Sequence, residues 1–396
     1  MIPRRAVWCL GLSQLVAWGT TYYLIGAFGD DIAADLGWSR EAVYGGFSAA
    51  LLVMGLTSGT IGGLIDRFGG RWVMSAGAVI GAAGCALLAA SHDSLVYYGA
   101  WLVLGLGMRL TLYDAAFAAL AGLAGRDARR PISQITLLGG LASSVFWPLG
   151  STLELWLGWR GTVLAYGALL LLTIPLFLTL PRGTVRASLK AAPSGVSATG
   201  DVRRPWLVAA LYAFIITAAN VLNSAMSAHM IAILSGLGLA VAAAVAASSL
   251  RGIGQSCARL TEVLFGGRLH PLSLAVLASA IVPFGFAVGI AAGGHWLAAS
   301  VFALAYGAGN GLLTIVRGTV PLVLFDPDTY GRFVGRLIAP SFILSAGAPL
   351  AFAALISAAG PRGALLAGGA IALAAAAAAV WLQRLAGPSR GADRIT

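Results

Sequence analysis

Four charged side chains interrupt long apolar stretches of this sequence, namely Arg109, Asp114, Arg251 and Arg317. Glu154 adds a fifth charge near the end of another apolar stretch. Three guanidinium groups against two carboxylates leave one positive charge in excess, and a buried site would compensate that charge with an anion. Because a guanidinium fork binds both oxygens of a carboxylate or phosphate, the arginines predict an anion-binding cavity.

The same charges also have structural interpretations. An arginine inside a helix bundle can bind helix ends or backbone carbonyls, or can lie at the wet edge of a cavity. Asp114 and Arg317 can form a plain salt bridge between two domains, or a contact that substrate opens, and we favour the second. Arg109 has no charged counterpart, since Leu312 occupies the corresponding position of the repeat described below.

Composition indicates that these charges lie in a membrane. The chain has 396 residues, of which 59% are apolar and 10% are charged, whereas soluble proteins have about 25% charged residues. The 53 glycines suit helices that approach closely in lipid. The net charge of +11 is scattered over short connecting segments, which the positive-inside rule explains better than a nucleic-acid surface does.

Apolar stretches of about 20 residues predict the membrane-spanning helices. We predict twelve, at residues 6–28, 41–64, 72–91, 95–124, 132–157, 161–181, 205–230, 239–259, 271–292, 296–325, 334–358 and 362–384. The polar segment 182–204 is rich in Ser, Gly, Pro and Arg, and predicts a cytoplasmic linker between domains at 1–181 and 205–396. With both termini cytoplasmic, the inner segments carry 19 Lys and Arg residues and the outer loops carry three.

An internal repeat supports the division into two halves. LIDRFGGR at 64–71 returns as LTEVLFGGR at 260–268, and LTLYDAA at 110–116 corresponds to LTIVRGT at 313–319. The second match has an offset of 203 residues and pairs Asp114 with Arg317. Two six-helix halves related by an axis along the membrane normal are therefore predicted.

The segment between predicted helices two and three resembles the loop signature of the major facilitator superfamily, with Gly62, Asp66, Arg67, Gly69 and Arg71 at its main positions. This resemblance implies twelve helices and alternating access, in which two halves rock around a central site. The charges of Asp66, Arg67 and Arg71 can hold helix ends and so stabilise one global state without touching substrate. The alternative is an ordinary charged turn.

The first helix and the entry into the second, WGTTYY at 18–23 and DLGWS at 35–39, are similar to the bacterial monocarboxylate and oxalate/formate branch of that superfamily. The resemblance implies that Arg251, in predicted helix eight, meets a substrate carboxylate. Residues 247–250 read ASSL, so this helix offers no acidic residue one turn before the arginine.

Polar residues in the predicted spans provide further candidates, namely Gln14, Tyr22, Tyr23, Gln134, Tyr212, Asn220, Asn223, Gln255 and Asn310. Helices one, four, seven and ten line the cavity in the superfamily that the sequence resembles, and this resemblance implies Tyr22, Asn220 and Asn310 as candidate substrate contacts. Such groups also join helices without a functional role. The glycines that flank Asn310 indicate close helix packing and favour a structural role for this residue.

We therefore expect a monomeric secondary transporter in the bacterial inner membrane. Its substrate would be a small organic anion such as a monocarboxylate, moved with protons or by exchange for another anion. The sequence contains no nucleotide-binding or hydrolase motif, and we expect no enzymatic activity, cofactor, metal or nucleic acid. The alternatives are a proton-driven exporter of drugs or of anionic or metalloid toxicants, and a transporter-like sensor without flux.

Overall fold

The computed structural model describes residues 2–181, 204–265, 269–325 and 330–386, and all regular secondary structure in these ranges is helical. Contacts divide the chain into two compact units. The first contains residues 2–181 and 330–347, and the second contains residues 204–265, 269–325 and 348–386. Except for residue 204, the predicted linker lies outside the described residues.

The first unit is built from nine helices and part of a tenth. They are α1 (Arg4–Ala17), α2 (Leu24–Leu36), α3 (Arg40–Phe68), α4 (Gly70–Ala89), α5 (Ser94–Thr111), α6 (Tyr113–Ala124), α7 (Arg129–Gly140), α8 (Ala142–Leu171) and α9 (Ile174–Phe177). A π-helical turn, Trp18–Tyr22, joins α1 to α2, and a 3₁₀ turn, Gly125–Ala128, precedes α7.

The second unit contains α10 (Pro205–Gly236), α11 (Val241–Phe265), α12 (Pro271–Ala291) and α13 (Trp296–Leu324). The last helix, α14 (Tyr330–Ala386), contributes its first 18 residues, 330–347, to the first unit and the rest to the second. Eight helical stretches of the described ranges are long and apolar enough to cross a membrane. The count of twelve spans stays a prediction.

Two long helices contain a break that only glycine accommodates easily. Gly158 in α8 has φ 62° and ψ 173°, and Gly360 in α14 has φ 70° and ψ 179°. A side chain is unfavourable at such positive φ angles because its Cβ meets the backbone. The breaks occur in GWRG at 158–161 and GPRG at 360–363, which is a further match between the halves. They separate segments that the sequence predicts as distinct helices.

Predicted helix four, 95–124, is interrupted as well. Leu112 is extended, with φ −76° and ψ −174°, and separates α5 from α6. The side-chain amide of Gln14 donates a 2.8 Å hydrogen bond to the carbonyl oxygen of Thr111. This bond replaces the backbone N–H donor that the carbonyl would have in a continuous helix. The interruption is therefore held by a contact from α1.

Close helix contacts place corresponding residues of the two units. A Cβ on Gly105 would lie 2.5 Å from the carbonyl oxygen of Ala50, and a Cβ on Gly307 would lie 2.1 Å from that of Arg251. Arg251 follows Ala50 by 201 residues, and Gly307 follows Gly105 by 202 residues. The offset on α13 is thus one residue from the predicted 203. The predicted match of 64–71 with 260–268 requires an offset of 196 at its start and includes residues outside the described ranges, so it stays a prediction.

Candidate functional site

Arg251 lies where α11 packs closely against Gly307 of α13, and this contact fixes its backbone. The side chain is half-buried. Its Nη1 donates a 3.0 Å hydrogen bond to Ser227 Oγ, and its Nη2 donates a 2.5 Å hydrogen bond to Asn223 Oδ1. Its Cζ lies 5.4 Å from the ring centroid of Tyr306, within the range of a cation–π interaction.

Asn223 joins two predicted site residues. Its Oδ1 accepts from Arg251 and also from Asn310 Nδ2, at 2.9 Å. Asn310 is only 9% exposed, so its amide needs such a partner. The structure therefore brings Arg251 and Asn310 into one hydrogen-bonded cluster through an α10 side chain that the sequence did not distinguish from other polar residues.

The acceptors around Arg251 are all neutral. Among the described residues, no carboxylate contacts its guanidinium, which binds one amide oxygen, one hydroxyl oxygen and an aromatic face. Neutral oxygens stabilise a guanidinium without neutralising it. The cluster of Arg251, Asn223, Ser227, Asn310 and Tyr306, called here the Arg251 cluster, is thus a site of positive charge suited to an anion.

Arg109 has a different environment. It is 2% exposed, and within the first unit its Nε and Nη2 donate to the hydroxyl and the carbonyl oxygen of Ser58, both at 3.1 Å. Ser58 belongs to α3, and the contact joins α3 to α5. These bonds agree with the structural interpretation of an arginine that binds backbone carbonyls.

Arg259 is a buried arginine that the sequence did not single out, because it ends the predicted span 239–259 and is one of the 19 Lys and Arg residues assigned to the inner segments. It is 3% exposed. Its Nε donates to the carbonyl oxygen of Gly311 at 3.4 Å, and its Nη2 donates to Thr314 Oγ1 at 3.1 Å. Its position at the end of an apolar stretch gave no signal of burial.

The remaining predicted residues of the second unit lie near the cluster in sequence. Asn220 is half-buried and precedes Asn223 by three residues on α10. Arg317 is half-buried on α13, about 10 Å along the helix from Asn310 at 1.5 Å per residue. The carbonyl oxygen of Arg317 accepts a 2.7 Å hydrogen bond from the hydroxyl of Tyr212.

Tyr22 belongs to an aromatic group in the first unit. Its ring centroid lies 4.8 Å from that of Trp18 and 5.0 Å from that of Phe47. Trp18 in turn lies 4.9 Å from Tyr113, which begins α6 after the break at Leu112. Asp114 is the next residue, in the first turn of α6, where a carboxylate favourably faces the positive end of the helix dipole.

Asp66 accepts two backbone hydrogen bonds at the start of α14. Its Oδ1 lies 2.9 Å from the nitrogen of Gly331, and its Oδ2 lies 2.8 Å from the nitrogen of Arg332. The carboxylate therefore satisfies two of the N–H groups that every helix leaves without a partner at its first turn. The role of this contact as a latch remains a prediction.

The other predicted gating residues have weaker contacts. The Cζ of Arg67 lies 5.0 Å from the ring of Phe68. Nη1 of Arg71 lies 3.5 Å from the carbonyl oxygen of Leu180. Glu154 is half-buried on α8 and interacts with Asp31 of α2. No group of three potential metal ligands occurs in the described ranges.

Comparisons with known proteins identify the architecture. Residues 10–270 match the sequence profile of the Major Facilitator Superfamily, and no curated protein matches the chain in sequence. The human organic anion transporter MFSD10 (TETRAN) is similar with a TM-score of 0.70 and 17% identity, covering 95% of this chain and 99% of that one. The Escherichia coli fucose–proton symporter FucP has a TM-score of 0.70 and 15% identity, covering 94% and 97%.

The proton–xylose symporter XylE is similar with a TM-score of 0.73 and 14% identity, covering 97% of this chain and 95% of that chain. At these identities the likeness shows the fold alone, an all-helical membrane protein of the same architecture. The likeness extends over nearly the whole chain, which confirms the predicted fold class.

Proposed function

The chain belongs to the major facilitator superfamily, and on this premise we propose that it is a secondary transporter of a small organic anion, such as a monocarboxylate. The observation that carries the proposal is the Arg251 cluster, in which all the acceptors that the described residues offer to a half-buried guanidinium are neutral. A positive charge of this kind attracts an anion and repels a cation. Its planar fork fits the two oxygens of one carboxylate.

The fold by itself is compatible with several substrates. One similar structure is that of an organic anion transporter, and two others are those of sugar–proton symporters. Function within a shared fold depends on the residues at the site. Arg251 is therefore the feature that favours an anion, in agreement with the similarity of residues 18–23 and 35–39 to the monocarboxylate and oxalate/formate branch.

Two further roles belong to the proposal. Asp114 and Glu154, the two carboxylates within or near apolar stretches, couple transport to protons or to a counter-anion. No carboxylate of the described residues contacts Arg251 itself, so coupling is assigned to these two residues and not to the Arg251 cluster. Asp66, with Arg67 and Arg71, stabilises one state of the transport cycle, and its two bonds to the start of α14 support that role.

The proposed location is the bacterial inner membrane, with both termini in the cytoplasm and a monomeric chain. The excess of Lys and Arg in the inner segments supports this orientation. Burial of Arg259 within the second unit removes one residue from that count and leaves the bias intact.

The proposal is tested by transport in proteoliposomes. Purified protein is reconstituted, and uptake of labelled acetate, lactate and oxalate is measured at several pH values and with each anion inside. We expect Arg251→Ala to reduce uptake about a hundredfold, since truncation removes a charge-assisted pair. Arg362→Ala, which removes an exposed arginine of the same charge, is the matched control. Equal uptake by Arg251→Ala and wild type would refute the anion site.

A second candidate function is a proton-driven exporter of amphipathic drugs or of anionic or metalloid toxicants. The aromatic group of Trp18, Tyr22, Phe47 and Tyr113 favours it, since stacked rings offer apolar surface to such compounds. A growth-inhibition panel in a host that lacks its own pumps separates the two functions. Protection against toxic compounds, without carboxylate transport in liposomes, would favour the exporter.

A further inference from the structure

We propose that Asn223 Oδ1 and Ser227 Oγ occupy the places on Arg251 that the two carboxylate oxygens of the substrate take when it binds. Asn223 is then a built-in competitor that sets the affinity of the site. This inference rests on the proposed function, because it requires Arg251 to bind an anion, and it adds the residue that the anion displaces.

The hydrogen bonds of Arg251 use the two terminal nitrogens that a carboxylate bound to both of them would use. Each terminal nitrogen of the fork has one oxygen, Ser227 Oγ at 3.0 Å from Nη1 and Asn223 Oδ1 at 2.5 Å from Nη2. The hydroxyl of Ser227 donates its own proton to the carbonyl of Asn223 at 2.6 Å, so it meets Arg251 with a lone pair. A carboxylate offers two oxygens to the same two nitrogens and adds a negative charge.

Both acceptors can leave the guanidinium, because both are side-chain atoms. The two fully buried arginines of the described ranges, Arg109 and Arg259, differ in this respect. Arg109 binds the carbonyl of Ser58, and Arg259 binds the carbonyl of Gly311, and a helix carbonyl cannot turn away without disrupting its helix. A side-chain amide or hydroxyl needs only a rotation about its side-chain bonds.

The Arg251 cluster is not sealed within the second unit. Arg251 and Asn223 are half-buried and Ser227 is exposed, and the proposal requires the anion to reach Arg251 from the side of Ser227. Tyr306, which is 1% exposed, lies against one face of the guanidinium. An incoming carboxylate therefore meets the fork edge-on, which is the orientation for two parallel hydrogen bonds.

Asn310 lowers the cost of the exchange. Its Nδ2 donates to the same Asn223 oxygen that Arg251 uses, at 2.9 Å. When the anion binds Arg251, Asn223 Oδ1 loses its hydrogen bond from Arg251 but keeps the one from Asn310, so a hydrogen-bond donor remains for this oxygen. Asn310 thus acts as a positioning residue, through Asn223.

The experiment measures carboxylate affinity in purified, full-length protein by isothermal titration calorimetry with acetate, lactate and oxalate in turn. Asn223→Asp is nearly isosteric and places a permanent carboxylate on Arg251. We expect affinity about tenfold weaker, because a free anion must compete with an attached one. Asn223→Ala removes the competitor, and we expect affinity about threefold tighter.

The matched charge control is Thr261→Asp, an exposed site on α11 about 15 Å along the helix from Arg251 at 1.5 Å per residue. Its affinity should equal that of wild type. Equal loss in Thr261→Asp and Asn223→Asp would refute the inference, since the effect would then come from net charge. Weaker binding by Asn223→Ala would also refute it, because Asn223 would be a ligand contact and not a competitor.

Arg251→Gln separates this inference from the proposed function. If Arg251→Gln abolishes binding while Asn223→Asp binds as wild type does, the anion site stands and the competitor is refuted. If Arg251→Gln binds as wild type does, the proposed function is refuted, and the inference with it. Asn223→Ala provides an independent result if Asn223→Asp does not fold.

Discussion

Arg109 of the first unit and Arg251 of the second both interrupt apolar helices, yet they are held by different kinds of acceptor. Arg109 is almost fully buried and binds both the hydroxyl and the backbone carbonyl of Ser58. Arg251 is half-buried and binds two side-chain oxygens of α10. The difference separates an arginine that fastens helices permanently from one whose partners a ligand can replace.

The repeat makes this comparison more precise. Ser58 and Arg109 correspond, at the offsets of 201 and 202 residues seen in the close helix contacts, to Arg259 and Gly311. Arg259 binds the carbonyl of Gly311, just as Arg109 binds the carbonyl of Ser58. In both units, therefore, an arginine of one helix binds a backbone carbonyl of the helix packed against it. The arginine is on α5 in the first unit and on α11, which corresponds to α3, in the second. Arg251 is an addition of the second unit, at the position of Ala50.

The largest effect is expected from Arg109→Met. The substitution leaves the buried Ser58 oxygens without their charged donor, so we expect a loss of about 3 kcal/mol in the free energy of unfolding. Thermal unfolding in detergent measures it, with Arg251→Met as the matched variant. If Arg251→Met costs as much, the two arginines do not differ in kind and the comparison fails.

Gly307→Ala tests the contact that fixes Arg251. Its new Cβ would lie 2.1 Å from the carbonyl oxygen of Arg251, and we expect a stability loss of about 2 kcal/mol together with weaker anion binding. Gly105→Ala, whose Cβ would lie 2.5 Å from the oxygen of Ala50, is the control in the other unit. Stability should fall in both variants, and anion affinity should fall more in Gly307→Ala.

Arg251→Lys keeps the charge and removes the planar fork. Because an ammonium group makes no bidentate contact, we expect carboxylate affinity about tenfold weaker than wild type. Titration calorimetry with lactate measures it, beside Arg251→Gln. Equal affinity of the lysine variant and wild type would mean that charge alone recruits the anion.

The smallest effect is expected from Tyr306→Phe. The ring that lies against Arg251 is retained, and the buried hydroxyl that it loses has no hydrogen-bond partner among the described residues. We expect a change below about 0.5 kcal/mol in stability and no change in affinity. Tyr306→Leu, which removes the aromatic face, should weaken binding by comparison. A large effect of Tyr306→Phe would reveal a role for the hydroxyl itself.

The sequence predicted the fold class because apolar stretches, charge bias and the loop around Asp66 are local patterns. It also identified Arg251 as a candidate, since a charge within an apolar stretch is visible without a structure. It did not single out Asn223, because the contact between α10 and α11 depends on tertiary packing. The break at Leu112 had no glycine or proline to mark it, and depends on Gln14 of a distant helix.

Arg259 shows a different reason for failure. It is the last residue of the predicted span 239–259 and was therefore grouped with the cytoplasmic residues, whereas Gly311 and Thr314 of α13 accept hydrogen bonds from its guanidinium within the second unit. The matching glycine breaks at 158 and 360 were within reach of the sequence, since GWRG and GPRG are visible in it. A four-residue match is weak evidence for an internal repeat by itself. It becomes stronger here because Gly158 and Gly360 have the same backbone conformation.

The sharing of α14 between the units matters for dividing the protein into fragments. Residues 330–347 pack with the first unit although they follow the second unit in the chain, and their first backbone nitrogens bind Asp66. A cut within 182–204 therefore yields an amino-terminal fragment that lacks one of its own packing segments. Such a fragment should aggregate when expressed alone and become soluble in detergent only when the carboxy-terminal fragment is made in the same cell.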